Sequence, residues 1–237
     1  SIASVKSRVS IASRSRRAAN SAASFTRFAR SAPVIPGVVA AIRAEAPDLV
    51  ALQEVDVHWS ARSGFADQAS TLAERLGMQV RFAPIYQLPG ADATTPAREY
   101  GVALLSRYPI IAFTNHVISR LSTQTDGTLP APAPGFLEAT IDVRGTHVRV
   151  FNTHLDYRPD PAVRRQQVAE SLVIIGELTT PTLMFGDLNA GPEAPELQPL
   201  LARLRDSWPA SNGPGLTYPS DTPVKRIDFV LTSGHFR

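Results

Sequence analysis

Apolar and polar positions fall along the chain in blocks that read as short strands and helices. Residues 37 to 46 have helical spacing, and "DLVALQEV" (48 to 55) is an apolar run of strand length. In "FADQASTLAERLG" the residues Phe65, Ala69, Leu72 and Leu76 fall on one helical face, with Gly77 placed to stop the helix. "GVALLSRYPI" (101 to 110) predicts a strand ending at Pro109, and the turn-rich residues 111 to 135 predict a strand and a long loop. "FLEATIDVRGTHVRVFNTHL" predicts a hairpin turning near Arg144-Gly145. "DPAVRRQQVAESLVIIGEL" predicts a helix started by Asp160 and Pro161, with Val168, Leu172 and Ile175 facing inward. A buried strand "TLMFGDLN", a helix "APELQPLLARL" and a last strand "RIDFVLT" (226 to 232) follow. Helices and strands mix throughout, and several strands are apolar on both faces. That pattern predicts an α/β fold of packed sheets covered by helices.

Four of these strand runs are apolar until a polar residue at or near the end: Gln53-Glu54, Asn152 and His154, Asp187 and Asn189, and Asp228. Taken singly, each has an ordinary structural explanation. Glu54 suits a surface acid, His154 a satisfied structural histidine, and Asp187 with Asn189 a cap for the turn at Gly191. Asp228 suits a local ion pair with Arg226, and Arg164 with Gln167 a packing pair on a helix. Their recurrence at four strand ends changes the weight, because strand ends converge at sheet edges, where clefts form. Buried carboxylates are costly unless paired or holding a cation. A carboxylate, amide and imidazole set suits a hard ion such as Mg²⁺ or Mn²⁺ and chemistry on phosphate. Gly186 is expected to let a substrate approach the backbone, and Asp187 and Asn189, two apart, to share a face.

Composition narrows this further. The 237 residues include no cysteine, which excludes disulfides, thiolate-bound zinc and a cysteine nucleophile. No apolar run reaches the ~20 residues of a membrane span, so a soluble protein is expected, with the cytoplasm slightly favoured over secretion. The sequence pI of about 9.6 is misleading. Eight of the 24 Lys and Arg precede the first acid, Glu45, leaving 16 basic against 21 acidic residues from there on. An acidic body without a basic, aromatic-interleaved stripe disfavours tight DNA binding. Residues 1 to 32, with nine Ser, eight Ala and six Arg and no acid, are expected to be a disordered or atypical segment, with residues 33 to 237 as one domain.

In order, "ALQEVD", "YGVALLSRYPI", "FNTHLDYRPDPAVRRQQ", "MFGDLNAGPE", "LTYPSD" and "RIDFVL" resemble the motifs of the endonuclease/exonuclease/phosphatase superfamily, and more narrowly its bacterial stand-alone hydrolases. The resemblance covers roughly residues 37 to 232. It implies a four-layered α/β sandwich, two packed sheets flanked by helices, that hydrolyses phosphoric esters with Mg²⁺ and water. It also implies roles. Glu54 would hold the metal, His154 would donate to a phosphate oxygen, and Asp187 would orient or deprotonate the attacking water. Asn189 would bind the same phosphate, and Asp228 would fix the imidazole of a later histidine. Arg164, Gln167, Arg62 and Ser63 also match and are assigned structural roles.

Two parts of the family pattern find no match: an opening strand with an asparagine, and a Ser-Asp-His segment after the Arg-Ile-Asp strand. Asn20 lacks a strand around it, and His235, in "SGHFR", is not assigned the histidine's role. The expectation is therefore a domain incomplete at both ends, a monomer, weakly active or inactive as it stands. The alternative reading is a phosphate-binding or regulatory module that keeps the fold without the chemistry.

Overall fold

The structure is a computed structural model that describes residues 34–208 and 210–236. The expectation for residues 1 to 32 lies outside the described residues. Two sheets form the centre. The smaller has three antiparallel strands in the order β1-β3-β2: β1 is Leu49–Val57, β2 Gln79–Leu88 and β3 Arg98–Ser106. The larger has six, in the order β4-β5-β6-β7-β9-β8. Its strands are β4 (Ile110–Arg120), β5 (Ala131–Val143), β6 (Thr146–His154), β7 (Thr182–Asp187), β8 (Arg205–Asp206) and β9 (Asp228–Thr232). Among the described residues only β6 and β7 pair in parallel, joined by helix α3 (Ala162–Ile175). Helices α1 (Val34–Glu45) and α2 (Gln68–Leu76) cover the small sheet, while α3 and the short α4 (Gln198–Leu201) cover the large one.

Three apolar cores follow from this layering. Leu104, Leu137 and Phe185 pack between the sheets; Ile42, Val50 and Leu72 pack under α1 and α2; Phe151, Val168 and Met184 pack under α3. The four-layered α/β sandwich is present. No helix among the described residues is long and apolar enough to cross a membrane.

Local chemistry sets the boundaries. The Asp67 side chain accepts from the Ser70 backbone N–H and starts α2, and Gly77, at φ 64°, ends it. Phe65 therefore lies outside the helix, in the preceding turn at φ 54°, and is exposed rather than on its buried face. The β5–β6 hairpin turns at Arg144 and Gly145, both at positive φ. Residues 110 to 120 form an eleven-residue strand, the strand expected in this turn-rich stretch, and the expected long loop narrows to residues 121–130 before β5. Its polar composition follows from position: β4 is an edge strand, and much of it faces water. The "APELQPLLARL" helix shrinks to a 3₁₀ turn, Pro195–Leu197, followed by α4.

Candidate active site

The register of the large sheet brings three of the expected residues into one row. His154 at the end of β6 pairs with Asp187 at the end of β7, and Asp187 pairs with Asp228 at the start of β9. Residues two places back, Asn152, Phe185 and Val230, form the next row, and Phe185 and Val230 belong to the core between the sheets. Alternation along the strands puts His154, Asp187 and Asp228 on that same inner face, at its open end.

Asn152 closes the inner end of this row. It is fully buried and accepts from Gln53 Nε2 at 2.7 Å. Its own Nδ2 donates to the carbonyls of Leu52 and Ala103, both at 3.0 Å. Asn152 and Gln53 thus stitch β6 to β1 and β3 rather than reaching toward a ligand. Glu54 follows at once. The β1–β3 register shifts between Leu52 and Val55, and Glu54 sits in the resulting bulge at φ 57° with its side chain exposed. Its charge is felt by His154 on the opposite sheet and by Tyr100 on its own. The four strand tips therefore gather at one seam.

Burial, above all, pushes the His154 imidazole below its usual value, and the Arg120 guanidinium adds to this. The carboxylates of Glu54, Asp228 and Asp156 act the other way. His154 Nε2 lies 3.8 Å from Asp187 Oδ2. That separation is too long for a direct hydrogen bond. Asp187 Oδ1 accepts from the Asn189 backbone N–H at 2.9 Å, a local turn of the kind Asp favours. β7 ends at Asp187, and Asn189 turns out of it at φ 52°, so the two share a turn and not a strand face. Asn189 Nδ2 donates to the Leu155 carbonyl at 2.8 Å, which ties β7 to the segment after His154. Gly186 answers a packing need. A Cβ there would lie 2.8 Å from Thr153 Cγ2 and 2.9 Å from its carbonyl, so the glycine lets β6 approach, not a substrate.

The surrounding polar residues hold this frame. Gln167 accepts from the Asp156 backbone N–H at 2.9 Å and donates to the Ser119 carbonyl at 2.9 Å. Arg164 pairs with Glu196 and donates to the carbonyls of Asp156 and Arg158. Arg62 pairs with buried Asp56, its Nε at 2.9 Å. Arg226 pairs with Asp206 of β8. His235 bonds to Ser233 beyond the far end of β9, away from the row. Arg120 escaped the sequence reading. It is buried, its pKa is pushed down to about 10 by that burial, and it donates to the carbonyls of Pro134, Gly135 and His154. Its one signal was a polar residue at the end of β4.

Among the described residues no three His, Cys, Asp or Glu side chains lie close enough to enclose a metal ion. Glu54 and Asp187 offer carboxylate oxygens, the donor type that a hard cation takes.

The profile of the Endonuclease/Exonuclease/phosphatase family matches residues 20–237. The chain belongs to this family. Its known members are hydrolases of phosphoester bonds. Among relatives, "Protein cwh43" of Schizosaccharomyces pombe is 31% identical over 169 residues, 70% of this chain and 16% of that protein. "Phospholipase C" of Staphylococcus aureus is 26% identical over 167 residues, 60% of this chain and 49% of its own. The crystal structure of an endonuclease/exonuclease/phosphatase from Beutenbergia cavernae superposes with a TM-score of 0.59 at 26% identity, covering 84% of this chain and 58% of that one. This family domain thus spans only part of the length of each.

Proposed function

We propose that this family hydrolase cleaves a phosphodiester or phosphomonoester with Mg²⁺ (or Mn²⁺) and water as the nucleophile. The observation that carries the proposal is the His154–Asp187–Asp228 row facing Glu54 across the seam held by Asn152 and Gln53. Glu54 would hold the ion, which when bound offsets charge on the phosphoryl oxygens. Asp187 accepts a proton from the attacking water or fixes its direction. His154, kept neutral by burial, donates one N–H to a phosphoryl oxygen. Asn189 uses one of its amide hydrogens on Leu155 and keeps the other for the same oxygens. Asp228, beside Asp187 in the row, supports the imidazole electrostatically. Similarity to a relative named phospholipase C supports an ester of phosphate as substrate.

The test is hydrolysis of bis(p-nitrophenyl) phosphate with Mg²⁺ or with a chelator, by the present chain and by one extended at both ends. Turnover should need the ion, and Asp187→Asn should lower kcat by ~10²–10⁴ while the circular-dichroism melt stays in place. Asparagine keeps an oxygen for the Asn189 N–H, so the turn survives. Undiminished turnover would overturn the role of Asp187. Phosphate binding with no turnover in either chain would favour the regulatory module.

A further inference from the structure

The same seam has a second wall. Asp56, Tyr100 and Tyr86 are in register across β1, β3 and β2. Tyr100 alternates with Val102 and Leu104 of the core between the sheets, so this row lies on the inner face of the small sheet. It continues past Asn152 at the end that carries Glu54. Trp59, two residues beyond β1, joins the row. Its ring centroid is 5.6 Å from that of Tyr100 and 6.2 Å from that of Tyr86, and the two tyrosine rings are 6.1 Å apart at 21°. The result is a continuous shelf of three rings. Each is half-buried, and neither Trp59 nor Tyr100 belongs to any of the three apolar cores.

The rim of the shelf is polar. Arg62 lies 5.5 Å over the Tyr100 ring and is forked onto Asp56 through Nε and one terminal nitrogen. The Tyr86 hydroxyl accepts from the Thr123 backbone N–H at 3.0 Å, which brings the β4–β5 loop to the other side. An extended hydrocarbon tail matches this poorly, since charged groups border the rings on the Glu54 side. A ring with an apolar face and a hydrogen-bonding edge matches both parts at once.

We propose that Trp59, Tyr86 and Tyr100 form the subsite for the alcohol side of the phosphoester, and that this subsite takes a ring with an apolar face and a polar rim, as a sugar or a nucleoside presents. The inference rests on the phosphoester reading above and adds the class of leaving group. The phosphate would sit between Glu54 and His154, and the ring would stack along the shelf.

The chain has two tryptophans, Trp59 and Trp208, so in a Trp208→Phe background all tryptophan emission comes from the shelf. With Asp187→Asn added to prevent turnover, calorimetry and emission are followed with Mg²⁺ present. The ligands are a hexose 6-phosphate, a nucleoside 5′-monophosphate, glycerol 3-phosphate and inorganic phosphate. The three esters share a primary-alcohol linkage and differ in the ring. At least one ring-bearing ester should bind about 10-fold or more tighter than glycerol 3-phosphate and change the Trp59 emission. The tighter of the two names the ring. Trp59→Leu and Tyr86→Leu should each shrink that margin and leave the affinity for inorganic phosphate unchanged. Equal affinity for ring and open-chain esters overturns the subsite alone, as does a margin that persists in both leucine variants. Failure of every ligand, inorganic phosphate included, overturns the phosphoester reading and the subsite with it.

Discussion

His154 is a largely buried base, its side chain 15% exposed, among charges of both signs, and its setting has a measurable cost. Its folded pKa lies below the unfolded value of about 6.5. Between those two values the unfolded chain holds the extra proton, so the stability present above about pH 6.5 is lost as pH falls toward the folded value. Urea titrations should therefore show a midpoint that drops between pH 7 and 5.5, and His154→Asn should flatten that drop. An unchanged slope would mean that the imidazole is not held neutral by the fold. At this scale the sequence was informative where polarity interrupts an apolar run, as at Glu54, His154 and Asp187. It was silent on Arg120, Trp59 and Tyr100, because only the fold carries the end of β4 to the carbonyl of a residue 34 positions later. It misassigned Gly186, and left Asn152 without a role, for the same reason. A polar tip and a permissive glycine look alike whether they serve a ligand or a neighbouring strand.

At the scale of elements, the Asn152 carboxamide bridges β6 to both β1 and β3. Asn152→Ala would leave the carbonyls of Leu52 and Ala103 and the amide of Gln53 without their partner in a buried seam. Each such group costs ~1–3 kcal/mol, and partial rehydration at the Gln53 end offsets some of this. The expected loss is about 2–4 kcal/mol in unfolding free energy by urea titration; a loss under ~1 kcal/mol would show that the stitch is dispensable. Helix stops and the β5–β6 turn were legible because they depend on glycine and capping residues within a few positions. The bulge that presents Glu54 was not, since it arises from how β1 lies against β3.

For the molecule as a whole, the two sheets share one core, and Phe185 is fully buried in it. Phe185→Ala should lower stability by ~3–5 kcal/mol. Trp59 emission, which reports from the small sheet in a Trp208→Phe background, should shift together with far-ultraviolet dichroism. Two separated transitions would mean that the sheets unfold independently. The layered architecture was legible from alternating runs of helix and doubly apolar strand; the strand order, set by pairings distant in sequence, was not. That order has a practical side. Because β6 and β7 run in parallel, His154 and Asp187 both emerge at one edge, while the Arg144–Gly145 turn and the start of β7 lie at the other. The second edge is a handle. A peptide spliced between Arg144 and Gly145 would tether the molecule to a bead or a fusion partner with its reactive edge turned outward.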